Sequence, residues 1–307
     1  VFPSQLSSPS DYSVFFHKRA YTFNGQKSIA GFKFGDKWDC GKEKKKVSLQ
    51  SRQFVVQQVK QGEYVMYRYI LFDLDGTLTD SGEGITKAVQ YALHAQGIEE
   101  PDIHKLDYFV GPPLDVSFQK GFGMDREQMV HAVKKFREYY ESVGIFENQV
   151  YPGIPEMLKA CGNQNIVLAV ASSKPQLFVH QVLEHFDIEK YFNVIVGSEM
   201  DGRRTDKKEV VEEALRQLEA LAQKENVSKD READKADMRE MQQDFRQEMI
   251  LATAMVGDRC YDMEGAREHN LQAVGVSYGY GSEQELREAG AHMIAATVAD
   301  LQEMLLR

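Results

Sequence analysis

Cysteine is scarce in this chain. Cys40, Cys161 and Cys260 are the only thiols among 307 residues. Their odd number, with no metal-ligand or redox spacing, excludes a disulfide framework, a zinc finger and a dithiol oxidoreductase. Three ordinary free thiols fit a reducing cytoplasm, which is the expected location. Long apolar runs are missing as well. No stretch approaches the ~20 residues that span a bilayer, and the first residues hold no continuous hydrophobic segment of the secretory kind. No membrane partner is expected. Positive charge is in deficit, with a formal net charge of −10, and no nucleic-acid partner is expected.

What is present is unevenly distributed. Val1 to Val65 hold 11 Lys and Arg against 5 Asp and Glu, a charge of +6, which leaves −16 for the remainder. Lys42-Glu43-Lys44-Lys45-Lys46 is the part that a nucleic-acid or membrane-surface arm would use, but it is a weak signal. The aromatics of the segment keep no period, and Ser and Pro punctuate its beginning. A poorly ordered N-terminal extension is expected, with one hairpin at Phe23-Asn24-Gly25-Gln26. A third reading starts from Met66, which immediately precedes the first clear strand. The codons of Gln61-Gly62-Glu63 are able to spell a purine-rich ribosome-binding tract, so residues 1–65 are read as sequence upstream of a native start.

Tyr69-Ile70-Leu71-Phe72 is an unbroken apolar run that stops on Asp73-Leu74-Asp75-Gly76-Thr77-Leu78. The run predicts a strand buried on both faces of a parallel sheet. Its two acids emerge at the carboxyl end, where open α/β sheets bind ligands. Carboxylates so close repel one another unless a cation lies between them, and a hard, oxygen-seeking ion such as Mg2+ suits that place. Gly76 lets the backbone approach a ligand, with its own and neighbouring N–H groups available to anionic oxygens.

The same pattern recurs downstream. Ile166 to Ala171 is an apolar run ending on Ser172-Ser173-Lys174-Pro175. A hydroxyl there can donate to a phosphoryl oxygen; Ser173 is the neighbouring alternative to Ser172, and Lys174 either adds positive charge or holds local structure. Ala252 to Val256 runs onto Gly257-Asp258-Arg259-Cys260-Tyr261-Asp262. Between these, Phe192 to Gly197 supplies another strand, and a helix opens at Lys207-Lys208-Glu209. A lysine in the first turn of a helix opposes the macrodipole unless an anion sits there. That singles out Lys207, with Lys208 as the alternative.

Gly82 to Val150 reads as a helical block inserted after the first strand. Ile85, Ala88, Val89, Ala92 and Leu93 keep one apolar stripe, and Met129, Val133, Phe136 and Tyr140 keep another behind the N-cap Asp125. Between them Gly111-Pro112-Pro113-Leu114 is a rigid turn. Tyr108, Phe109, Phe118 and Phe122 are expected to pack a core rather than stack on a substrate, and His94, His104 and His131 to serve as surface or packing residues. Glu219 to Gln247 is rich in charge and predicts one or two exposed helices, broken near Asn226-Val227-Ser228 and recapped by Ser228.

Asp73-Leu74-Asp75-Gly76-Thr77-Leu78, Ser172, Lys207 and Gly257-Asp258-x-x-x-Asp262, in that order, resemble the four motifs of the haloacid dehalogenase-like phosphohydrolases. The Gly-Pro-Pro-Leu turn is similar to that of the phosphoglycolate phosphatase and 5′-nucleotidase-like branch, as is Tyr278-Gly279-Tyr280-Gly281. The resemblance implies an α/β fold: a Rossmann-like parallel sheet core, residues 66–81 and 151–307, with an inserted α-helical cap, residues 82–150, and a charged insertion, residues 219–247. It implies a Mg2+-dependent phosphatase that hydrolyses a small-molecule phosphate ester through an aspartyl-phosphate on Asp73. Asp75 then serves as acid and base, while Ser172, Lys207 and the Gly76 and Thr77 amides hold phosphoryl oxygens. Ser173, Gly111 and Pro112 fall on the substrate side. Mg2+ falls to Asp73, the Asp75 carbonyl, Asp258 and Asp262. Dehalogenases of the superfamily lack the second acid of the first motif, so Asp75 favours phosphate esters. A sugar phosphomutase and a non-catalytic binding or regulatory protein are the alternatives; the sequence sets no oligomeric state.

Overall fold

Every residue of Tyr69–Phe72 is buried, Ile70 and Phe72 on one face and Tyr69 and Leu71 on the other. Alternation of side chains along a strand sends successive residues to opposite faces, so an all-apolar run requires cover on both. Burial of such side chains is worth roughly 1.5–3 kcal/mol each, which anchors the strand that leads into Asp73.

The computed structural model describes residues 67–226 and 235–307. In chain order the first half comprises β1 (Tyr69–Phe72), β2 (Thr79–Asp80), α1 (Gly82–His94), α2 (Leu114–Phe122), α3 (Arg126–Ser142), β3 (Gln149–Val150), α4 (Ile154–Asn163), β4 (Val167–Pro175) and α5 (Gln176–His185). The second comprises β5 (Val194–Ser198), α6 (Lys207–Asn226), α7 (Lys235–Leu251), β6 (Thr253–Gly257), α8 (Cys260–Glu268), β7 (Gln272–Val276), α9 (Glu283–Ala289), β8 (Met293–Ala295) and α10 (Val298–Leu306). The expectations for Cys40, the Lys42 to Lys46 run, the Phe23 hairpin, the Met66 start and the Ser228 cap lie outside the described residues.

Six strands form one parallel sheet in the order β5-β4-β1-β6-β7-β8. The first strand is central, with Phe72 opposite both Val170 and Val256. Buried residues of α4, α5 and α10 cover one face, and those of α6, α7, α8 and α9 cover the other. The expected α/β core is therefore present, and three chemistry-bearing strand ends, those of β1, β4 and β6, lie side by side.

The helical block occupies the interval between β1 and β4. Its entry and exit are paired antiparallel, Thr79 with Val150 and Asp80 with Gln149. All five residues of the first predicted stripe are buried, and Phe136 and Tyr140 of the second are buried with Met129 and Val133 packed against them. Asp125 caps α3 in a reciprocal box with Gln128, at 2.9 and 3.0 Å. Phe109 and Phe118 are core residues, as expected, whereas Tyr108 is 39% exposed.

One local expectation needs correction. The second strand begins at Val167 rather than Ile166, because Asn165 turns left-handed (φ 59°) and the Ile166 N–H closes α4 on the Cys161 carbonyl. The charged segment Glu219 to Gln247 begins within α6, which continues without interruption to Asn226, where the break was expected, and Ala222 is buried. Phe245 packs on the same face, and Arg246 pairs with Glu212 and Glu219 of α6.

Candidate active site

Asp73 follows the last residue of β1, and its N–H donates to the Val256 carbonyl of β6 at 2.9 Å, so both strands fix its position. Lys207 opens α6 behind the N-cap Asp206, whose side chain accepts from the Lys208 N–H at 2.9 Å. The Lys207 ammonium lies 2.9 Å from Asp73 Oδ1 and 2.8 Å from Asp262 Oδ1, and it donates to the Ala171 carbonyl at 3.0 Å. This decides between the two lysines: Lys207 is buried among acids, and Lys208 is half-buried outside them.

Asp73, Asp258 and Asp262 bring carboxylate oxygens within 4.8 Å of one another, all three buried. Burial pushes Asp73 up to about 6 against the pull of Lys207, and the Asp262 carboxylate adds to the rise. Burial, then the Asp262 and Asp73 carboxylates, hold Asp258 well above the usual carboxylate range. Burial opposes the charge of Lys207, but Asp262 and Asp73 prevail and raise it. Three carboxylates against one ammonium leave the cluster short of positive charge. Oδ1 of Asp73 and Oδ1 of Asp262 share that single ammonium, and among the described residues no other donor reaches either oxygen. Three buried carboxylates that share one ammonium, in an all-oxygen set, fit a hard divalent cation.

Asp258 is held from two sides: Oδ1 accepts from Thr77 Oγ1 at 3.3 Å and Oδ2 from the Tyr280 N–H at 2.8 Å. The Tyr278 hydroxyl donates to the Thr77 carbonyl at 3.0 Å, so the Tyr-Gly-Tyr-Gly turn braces the loop after β1. At Gly76, φ is 82° and a Cβ would fall 2.2 Å from Asp258 Oδ2. The glycine is required there for space as much as for conformation. Its amide does not face a ligand as expected: the Gly76 N–H donates to the Thr79 carbonyl at 2.7 Å, and that of Thr77 to the Leu74 carbonyl at 3.3 Å. In this turn the Leu74 and Asp75 amides have no partner among the described residues.

The Asp75 carboxylate stays outside the acid cluster, so its carbonyl is what the residue would offer a cation. Both its oxygens accept from Lys174 Nζ, each at 2.9 Å, with the two side chains nearly buried. Lys174 thus lies at the site rather than only in the local turn. Ser172 is buried within β4, in the irregular stretch of the strand after Ala171, where its Oγ accepts from the Lys174 N–H at 3.3 Å, and Ser173 is half-buried beside it.

Gly111 meets the loop after β6 through Arg259, the residue that follows Asp258. Its Nη1 donates to the Val110 carbonyl at 2.6 Å and its Nε to Glu285 at 3.0 Å. Gly111, with φ 99°, leaves room for the arginine, since a Cβ would approach Arg259 Cγ to 3.0 Å. The rigid turn of the helical block is thereby tied to the loop after β6.

Residues 70–276 match the family model described as haloacid dehalogenase-like hydrolase. The chain belongs to the haloacid dehalogenase-like hydrolases. It is 39% identical over 239 residues to a 5′-nucleotidase of Pseudomonas aeruginosa, covering 78% of this chain and 96% of that protein. It is 32% identical to the tyrosine-protein kinase PtkA of Mycobacterium tuberculosis over 77% of this chain and 72% of that one. Phosphoglycolate phosphatases match at 25–29% identity. The crystal structure of a predicted phosphatase from Clostridium acetobutylicum is 40% identical and superposes with a TM-score of 0.67 over 78% of this chain and 99% of its own. In this haloacid dehalogenase-like chain, Lys174 takes the first of the two roles the sequence offered it, whereas Arg259 and the Leu74 and Asp75 amides were not assigned from the sequence.

Proposed function

We propose that this chain is a Mg2+-dependent phosphatase that hydrolyses small phosphate monoesters through an aspartyl-phosphate intermediate. The observation that carries it is the buried Asp73 carboxylate, paired with Lys207 and flanked by Asp258 and Asp262 at the end of the central strand. Asp73 attacks phosphorus and forms the acyl phosphate as the ester oxygen departs, which divides one difficult hydrolysis into two easier steps. Asp75 gives its proton to the departing oxygen and takes one from the water that cleaves the intermediate. Lys207, Ser172 and the Leu74 and Asp75 amides hold the phosphoryl oxygens. Asp73, Asp258, Asp262 and the Asp75 carbonyl would hold Mg2+, which when bound offsets repulsion between the carboxylates and the phosphate and polarises its oxygens. The helical block caps the strand ends, through the tie of Arg259 to Val110, and admits metabolites rather than phosphoproteins.

The 39% identity to a 5′-nucleotidase makes nucleoside 5′-monophosphates the first substrates to test. The relative named a tyrosine-protein kinase supports a second reading, in which the acceptor is something other than water. A panel of phosphate esters incubated with the purified chain and Mg2+ separates these. Release of inorganic phosphate is expected, and abolition by chelation of the metal. Transfer to an added alcohol or tyrosine without phosphate release would favour the second reading, and no turnover of any ester would contradict both.

A further inference from the structure

Tyr140 of α3 reaches the candidate site from the helical block. It is 2% exposed. One face of its ring is stacked on Phe136, with centroids 5.2 Å apart at 14°, and the Lys174 ammonium lies over the ring 4.7 Å from its centroid. Phe178 of α5 meets it edge-on at 5.7 Å. Ring contacts so complete exclude this tyrosine as a stacking platform for a nucleobase.

The hydroxyl is the unexplained part. It is buried, its close polar neighbour is the Lys174 ammonium, and a cation can only donate, so among the described residues the hydroxyl proton has no acceptor. A phenylalanine would fill the same space without the penalty of an unmade hydrogen bond. Burial raises the phenol, so it remains a donor at neutral pH. Its neighbour Lys174 already donates to both oxygens of Asp75, the group that would protonate the leaving oxygen. Whatever adjoins that carboxylate adjoins the alcohol portion of a substrate.

We propose that the Tyr140 hydroxyl, together with Lys174, forms a subsite for an acceptor oxygen carried by the alcohol portion of the substrate close to the ester bond. A carboxylate beside the ester carbon, as in 2-phosphoglycolate, and the ribose oxygens of a nucleoside 5′-monophosphate share this chemistry. The subsite makes Tyr140 a specificity-determining residue supplied by the helical block, and it rests on the phosphatase reading above.

The test compares the full chain with Tyr140→Phe on three esters with Mg2+: 2-phosphoglycolate, adenosine 5′-monophosphate and phenyl phosphate, whose alcohol has no acceptor. Tyr140→Phe should unfold at the same temperature or higher, because an unsatisfied buried hydroxyl is gone. Its kcat/KM should fall about tenfold, the effect of one lost hydrogen bond, on whichever of the first two esters supplies the oxygen. With phenyl phosphate it should stay within about twofold. The ester that loses activity identifies the source of the acceptor. Equal losses on all three esters, a loss on none, or a lowered unfolding temperature would overturn the subsite. Absence of wild-type turnover on every ester, phenyl phosphate included, would contradict the phosphatase reading instead. The subsite is then judged by binding: Asp73→Asn and Asp73→Asn/Tyr140→Phe, titrated with the same esters, should differ about tenfold in Kd, and equal values would overturn it.

Discussion

At Gly76 a side chain is opposed twice, by a φ of 82° and by Asp258 Oδ2, 2.2 Å from where a Cβ would lie. Gly76→Ala should therefore weaken Mg2+ binding and turnover together, each by about tenfold or more, since strain of roughly 1–3 kcal/mol would fall on a candidate ligand. Calorimetric titration and kinetics check this, and an unchanged affinity for Mg2+ would contradict it. The acids make a second test. Burial raises Asp73 to about 6 and Asp258 well above its ordinary value. Carboxyls that hold protons more tightly folded than unfolded favour the native state at low pH. The metal-free contribution of these two acids to stability should then be fully present below the unfolded carboxyl value of ~3.9, and that of Asp73 should be lost as pH rises through about 6. Mg2+ should accordingly raise the unfolding temperature more at pH 7 than at pH 5, and equal increments would contradict an ion among these acids. Asp73 and Asp258 were legible because each follows an apolar run, Lys207 because it opens a helix, and Asp262 only through its place in the Gly-Asp-x-x-x-Asp resemblance. The Lys174 pairing with Asp75 and the Arg259 bond to Val110 were not, since they join residues 99 and 149 positions apart through side-chain directions that no local pattern encodes.

Among the elements, α6 and α7 show how the charged segment is anchored. Glu219 to Gln247 reads as solvated, and it is held at its margins: Leu218 and Met249, just outside it, are buried against the sheet, with Phe245 packed on the same face. Met249→Ala should cost about 2–5 kcal/mol in denaturant unfolding, the usual range for such a truncation in a core. Gln247→Ala, on an exposed position, should cost less than about 0.5 kcal/mol, and equal effects would show that α7 does not pack as described. The sheet itself was legible, since strands buried on both faces advertise themselves as unbroken apolar runs. The tie between helical block and core gives a further expectation. Arg259→Met removes the bonds to Val110 and Glu285, so it should change relative kcat/KM among esters of different size severalfold. Calorimetric Mg2+ affinity should change less, and an equal loss on every ester would argue against control of the entrance by this turn.

For the whole molecule, the six strands matter because their order places the ends of β1, β4 and β6 together, with the first residue of α6 beneath them. Four segments far apart in sequence thus meet as one site, and all of it lies beyond residue 65. Removing Val1 to Val65 should leave turnover nearly intact, and a large fall with unchanged unfolding would show that the extension contributes to the chemistry. The central claim is that Asp73 carries the phosphoryl group and Asp75 moves the protons. An aryl leaving group needs little protonation, so without the Asp75 carboxylate the first step can proceed while water lacks its base. Asp75→Asn mixed rapidly with an aryl phosphate and Mg2+ should release a burst of phenol approaching one equivalent per enzyme and leave a hydroxylamine-labile phosphate on Asp73. An equally fast burst from Asp73→Asn, or a phosphate mapped to Ser172, would contradict the mechanism.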